Sequence, residues 1–166
     1  MKTALVTGAT SGIGRAAALA LGDAGRWVLA SGRDPKRGAE VAAELAERAG
    51  GEFAAADLAD DGAAERLVDR PVAATGRLDL VVYSAGTHFL ATAEGTDPGD
   101  YDRLMAVNLR GAVLLARAAV PAMRASGGGV ILNVSSEAGL AAVPGQVAYN
   151  VSKQTTLLSV CLVRSG

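Results

Sequence analysis

Tyr149 and Lys153 lie four residues apart in Tyr149-Asn-Val-Ser-Lys153. On a helix this spacing puts both side chains on one face, with Cβ atoms roughly 5–6 Å apart. An ammonium at that distance stabilises a phenolate, so the Tyr hydroxyl can pass a proton to or from a substrate oxygen near neutral pH. An isolated Tyr–Lys pair is also what an ordinary solvated helix face looks like. Here it has company: Ser136 closes the apolar run Val130-Ile-Leu-Asn-Val-Ser-Ser136 upstream and offers a second hydroxyl.

The chain opens on Thr3-Ala-Leu-Val-Thr-Gly-Ala-Thr-Ser-Gly-Ile-Gly-Arg15. Ala4 to Val6 is a short apolar run of the kind a buried parallel strand needs. Gly8, Gly12 and Gly14 follow, and then an Ala-rich helical stretch from Arg15 to about Ala24. Missing side chains let a tight turn approach a pyrophosphate, and the helix N-terminus beyond it offers free N–H groups and a positive dipole end. A plain strand-to-helix turn needs one glycine, rarely three together with Thr7, Thr10 and Ser11. The segment therefore reads as a nucleotide site.

These chemical residues sit in a regular alternation of strands and helices. Strands are expected at Ala4–Val6, Trp27–Ala30, Phe53–Ala56, Leu80–Val82 and Val130–Val134. Between them come helices: one after the glycine turn, and one opened by Asp34 as N-cap with Pro35 in its first turn. Another runs from about Asp60 and is ended or kinked by Pro71, and a long one spans about Tyr101–Arg124. A last helix begins near Tyr149. Apolar strands alternating with helices predict an α/β doubly wound parallel sheet with helices on both faces. No repeat, low-complexity tract or linker divides it, so residues 1–166 read as one domain.

Composition narrows the function. The 166 residues are 50% hydrophobic and 20% charged, with net charge −1, enough apolar surface for a core. The balance gives no electrostatic case for nucleic acid or an anionic membrane. One His and one Cys make a Cys/His zinc site implausible, and no metal is expected. Cys161 alone forms no internal disulfide, which fits a reducing cytoplasm, and it reads as an apolar helix position. The start has too short an apolar core for a signal peptide. Arg117 and Pro121 interrupt the most apolar helix, which argues against a membrane span.

The motifs together resemble the short-chain dehydrogenase/reductase family, of Rossmann type, over residues 1 to about 158. Thr7-Gly-Ala-Thr-Ser-Gly-Ile-Gly14 matches its cofactor motif. Asp57-Leu58 sits where the family contacts adenine, and Ser84-Ala85-Gly86 where it has Asn-Ala-Gly. Asn108 matches its catalytic Asn, and Ser136, Tyr149 and Lys153 match its Ser and its Tyr-x-x-x-Lys. Ser136 precedes Tyr149 by thirteen residues; the same spacing from Ser135 leads only to Ala148.

The resemblance implies an NADP(H)-dependent oxidoreductase that interconverts a carbonyl and an alcohol on a small-molecule substrate. Tyr149 would be the acid/base. Lys153 would assist it and bind the nicotinamide ribose, Ser136 would hold the substrate oxygen, and Asn108 would position a water leading from Lys153 to solvent. Gly8, Thr10, Ser11, Gly12, Ile13, Gly14, Asp57, Leu58, Ser84, Ala85 and Gly86, with Tyr149 and Lys153, would bind the cofactor. NAD-preferring members usually carry an Asp at the end of the second strand. Here Gly32 and Arg33 stand there, and an Arg fork suits a 2′-phosphate. This favours NADP over NAD, with Arg15 as a possible second cation and Asp34 as the competing partner of the ribose. His88 follows the Gly86 block and reads as an exposed loop residue.

Two departures stand out. Ser84 replaces an Asn that braces the family's sheet. The chain also ends before the last strands of a fold that runs to roughly 250 residues, which leaves the fifth strand a bare apolar edge. A non-catalytic nucleotide-binding remnant or a truncated product without turnover is therefore the alternative. The family's dimer helices would be the two around Asn108 and Tyr149. Leu114, Leu115, Ala118, Ala119, Leu157, Leu158 and Cys161 are their apolar positions, and a homodimer or homotetramer is expected.

Overall fold

A computed structural model describes residues 1–156 and 161–164. Six strands form one sheet in the order β3-β2-β1-β4-β5-β6. They are β1 (Thr3–Thr7), β2 (Trp27–Gly32), β3 (Gly51–Ala55), β4 (Leu80–Tyr83), β5 (Gly128–Asn133) and β6 (Cys161–Arg164). The first five are parallel, and β6 runs antiparallel to β5. The helices are α1 (Gly12–Asp23), α2 (Pro35–Ala46), α3 (Ala63–Thr75), α4 (Pro98–Met105), α5 (Gly111–Ala125) and α6 (Val147–Thr156). The expected doubly wound α/β sheet is what forms. β1 and β4 are neighbours although β2 and β3 intervene in the chain, so the winding reverses between them. A crevice opens there, beyond the carboxyl ends of the strands.

Alternation along the strands divides the core. Leu5, Leu29, Val81, Tyr83 and Ile131 face α3 and α5, while Ala4, Val6, Val28, Ala30 and Val82 face α1 and α2. Both faces of the central strands are apolar because both are covered. Residues 98–125 form one 28-residue helical run, long and apolar enough by composition to cross a membrane. Leu104, Gly111, Leu115, Ala119 and Met123 are nevertheless buried within the protein, as in a core helix. Of the positions considered for self-association, Leu115 and Ala119 are fully buried in the chain's own core, and Leu114 and Ala118 are partly so.

Three expectations are corrected. Pro71 does not end its helix: α3 continues four residues further, to Thr75, with Pro71 buried, and stops at the left-handed Gly76. Burial of that face outweighs the loss of one helical hydrogen bond. The edge of β5 is not bare, because β6 pairs with it from Gly128↔Arg164 to Ile131↔Cys161 and takes up its free backbone groups. Cys161 is therefore a strand residue rather than a helical one. Leu157 and Leu158 lie outside the described residues.

Asp79 ties the start of β1 to the start of β4. Its carboxylate accepts from Thr3 N (2.8 Å) and from Arg77 Nε (2.8 Å) and Nη2 (2.6 Å). Burial works most strongly on this carboxyl and would raise its pKa. The Arg77 hydrogen bonds, the Thr3 amide and the Arg77 and Lys2 charges outweigh burial and hold it below the usual value. A depressed folded-state pKa contributes stability above the unfolded-state value, which is lost as pH falls through the folded one. We expect the Tm to hold near neutrality and to drop on acidification below about pH 4. Asp79→Asn should cost about 1 kcal/mol at pH 7, and calorimetry should show that difference shrinking toward acid.

Candidate active site

The crevice at the winding reversal is a cleft of about 940 Å³. Its floor is the glycine turn. Gly8 takes φ +66°, a left-handed conformation that disfavours side chains, and a Cβ there would sit 2.8 Å from Ala85 N. Gly14 is buried: a Cβ there would overlap Gly8 O and lie 2.7 Å from Gly8 C. It does not line the cleft but lets α1 start directly against the turn. Gly8, Thr10, Ser11, Gly12 and Ile13 do line it. Ser11 caps α1 without a side-chain hydrogen bond, so the first-turn amides face the cleft without a capping side chain. Thr7 Oγ1 accepts from Ala85 N at 3.3 Å and ties the end of β1 to the segment after β4. That bond braces the place where Ser84 stands.

At one end of the cleft, Arg33, Asp34 and Arg37 follow β2. Asp34 is the expected N-cap: it accepts from Lys36 N and Arg37 N, and its other oxygen takes Arg37 Nε at 2.6 Å. The Arg37 hydrogen bond is the main reason its carboxyl is held below the usual range. Asp34 is thus engaged by its own helix. Arg15 does not line the cleft and pairs with Glu44. The second cation at this end is Arg37, which spacing alone did not single out because its approach depends on the first turn of α2. A Cβ on Gly32 would come 2.7 Å from Thr10 Cγ2, so an acid at that position has no room while Thr10 keeps its rotamer. Asp57 and Leu58 line the next stretch. Burial would raise the Asp57 carboxyl, but the Arg103 hydrogen bond, the Ala59 amide and the Arg103 and Arg33 charges lower it. Ser84, Ala85 and Gly86 form the middle of the wall.

At the other end are Tyr149 and Lys153, carried by α6. Lys153 Nζ lies 5.7 Å from the centre of the Tyr149 ring and donates to Val134 O at 3.0 Å. Burial lowers the pKa of this ammonium. Asn108 is 1% exposed. Its Oδ1 accepts from Thr87 N (2.8 Å), and its Nδ2 donates to Thr87 O (2.9 Å) and to Ser152 Oγ (3.1 Å). A Cβ on Gly86 would be 3.5 Å from Asn108 Oδ1 and 3.6 Å from Lys153 Nζ, so this glycine keeps the space between them open.

The two serines take different places. Ser135 lines the cleft and its Oγ donates to Lys153 O at 2.9 Å. Ser136 Oγ accepts from Ala138 N at 3.2 Å, capping a short 3₁₀ turn over Glu137–Gly139. His88 is exposed, as expected, but it also lines the cleft, with its ring edge-on to Tyr149 at a centroid distance of 5.9 Å. Ser152, a fully buried link between Asn108 and the α6 backbone, has no sequence signal beyond its place inside Tyr-x-x-x-Lys. Among the described residues no group of three or more His, Cys, Asp or Glu could hold a metal ion.

A doubly wound sheet with a glycine-floored cleft at its reversal point, cations at one end and a Tyr–Lys pair at the other, has the architecture of a nucleotide-binding α/β protein. Residues 2–159 match the family model described as short chain dehydrogenase, and the chain belongs to that family. It is 43% identical over 158 residues to an uncharacterized oxidoreductase of Thermotoga maritima, covering 94% of this chain and 62% of that one. It is 39% identical over 153 residues to the D-threitol dehydrogenase of Mycolicibacterium smegmatis, covering 92% and 59%. The chain thus spans about three-fifths of the length of these relatives. The crystal structure of a metagenomic short-chain oxidoreductase in complex with NADP superimposes with a TM-score of 0.89 at 37% identity, covering 94% of this chain and 72% of that one.

Proposed function

We propose that this chain is an NADP(H)-dependent oxidoreductase that interconverts a small-molecule carbonyl and its alcohol. One observation carries the reading: Tyr149 and Lys153 line one end of a cleft whose other end holds Arg33 and Arg37, with Asn108 buried behind the cleft wall at Gly86 and Thr87. The cleft fits a dinucleotide in size. The glycine turn and the first amides of α1 suit a pyrophosphate, and the Arg pair with a crowded Gly32 suits a 2′-phosphate better than a free 2′-hydroxyl. The NADP of the metagenomic relative supports the same choice.

Bound NADP(H) would donate or accept the hydride. The protein's own part is proton transfer and placement. Tyr149 gives its proton to the substrate oxygen in reduction and takes it back in oxidation. The Lys153 ammonium, held by Val134 O close to the Tyr149 ring, stabilises negative charge on the phenol oxygen. Ser136, which caps the 3₁₀ turn next to the cleft-lining Ser135, is the hydroxyl assigned to hold the substrate oxygen. Asn108, anchored by Thr87 and Ser152, orders the water that links Lys153 to solvent. Assembly as a homodimer or homotetramer in the cytoplasm belongs to the same reading, and sedimentation tests the assembly.

Fluorescence titration with NADPH, followed by a panel of carbonyl substrates, tests the function. Binding with turnover supports it. Binding without turnover reduces the chain to a nucleotide-binding protein, and absence of binding removes the reading. Arg33→Ala should weaken NADPH binding by about 1.5–3 kcal/mol, as for a hydrogen bond to a charged group, and leave NADH binding nearly unchanged. Equal losses for the two nucleotides would refute the assignment of Arg33.

A further inference from the structure

Residues Ala106–Arg110, between α4 and α5, form a π-helical turn with Asn108 at its centre. Such turns carry one extra residue and re-aim the side chains within them. In an α-helix the amide of Gly111 would serve Val107 O; here it is given to Ala106 O. Val107 O instead accepts from the hydroxyl of Tyr83, the last residue of β4. Tyr83 is 3% exposed and lies in the core between the sheet and α5. The helix backbone is pressed onto this hydroxyl: a Cβ on Gly111 would lie 2.5 Å from it and 3.1 Å from Leu58 O. A buried carbonyl without a donor is unfavourable, so the Tyr83 hydroxyl and the absence of a Gly111 side chain favour the π register over the α register.

The geometry points to Tyr83 as a positioning residue. Its hydroxyl holds the π turn at 106–110 and thereby fixes Asn108 against Thr87 and Ser152, on the Lys153 side of the cleft. Burial, and then the charge of Asp57, push the Tyr83 phenol well above its usual value, so it remains a donor at every pH at which the protein would work. Tyr83 does not line the cleft, so it acts only through the helix. The inference rests on the proposed role of Asn108, but its structural half can be read without turnover.

The test is Tyr83→Phe in the full chain, which keeps the ring and removes one oxygen. Amide hydrogen exchange of Thr87, whose N–H is held by Asn108, should accelerate about tenfold or more, while the β1–β2 amides stay within about twofold. NADPH affinity should stay within about twofold. If the chain turns over, kcat should fall with KM unchanged, and Tyr83→Phe should add little to Asn108→Ala. Gly111→Ala should be more harmful in the parent than in the Tyr83→Phe background, where the crowding oxygen is gone. Unchanged exchange at Thr87, or equal acceleration across the whole sheet, would overturn the assignment. Failure of NADPH to bind the parent would remove the proposed function while the exchange result still decides the role of Tyr83.

Discussion

Tyr149→Phe is expected to lower hydride transfer by about 10²–10⁴-fold, the usual contribution of a positioned acid/base, while NADPH affinity stays nearly intact. The substitution removes a single hydroxyl. The ring that packs against His88 and lies near Lys153 Nζ remains, so the cleft keeps its shape. Lys153→Met should behave differently and damage both turnover and nucleotide binding. It deletes a charge that serves the phenol and, in the proposed function, the cofactor ribose, and it leaves Val134 O without the Nζ donor. Single-turnover measurements at saturating NADPH separate chemistry from binding. A Tyr149→Phe variant with near-parental kcat would refute the mechanism.

Gly14→Ala is expected to carry the largest loss of stability. The new methyl would overlap Gly8 O and sit 2.7 Å from Gly8 C and 3.1 Å from Thr7 O. All three are backbone atoms of the turn, so no rotamer change relieves the contact. The helix must move off the strand, at a cost of about 1–3 kcal/mol or more, and the first-turn amides move with it. NADPH affinity should fall together with Tm. Gly25→Ala is the control: that glycine has φ +75°, nothing within 4 Å of its Cβ position, and no place in the cleft. It should lose stability from backbone strain and keep NADPH affinity. Equal affinity losses for the two variants would show that Gly14 acts through general stability, not through the geometry of the turn.

Much of the site is legible in the sequence because the relevant spacings are short. Tyr149 and Lys153 share a face by the pitch of one helix. The three glycines of the turn lie within seven residues, and Asp34 caps a helix that starts at the next residue. The strand pattern of alternating apolar runs likewise carries the doubly wound sheet. Each of these depends on backbone geometry over a turn or two, which residue types set directly.

What depends on distant parts of the chain was decided by packing. Whether Arg15 or Arg37 joins Arg33 turns on where α2 lies over the sheet, because Glu44 of that helix draws Arg15 away. Pro71 stays inside α3 because the face it occupies is buried. The edge of β5 is covered by an antiparallel β6, although Cys161 to Arg164 reads equally well as the end of a helix. Asn108 could be matched by its motif. Its aim comes from Tyr83, whose hydroxyl meets Val107 O, 24 residues later in the chain, only once β4 and α5 have packed. Side-chain chemistry and local periodicity determined which groups exist and which share an element. Which of them meet was determined by tertiary contacts that no local spacing encodes.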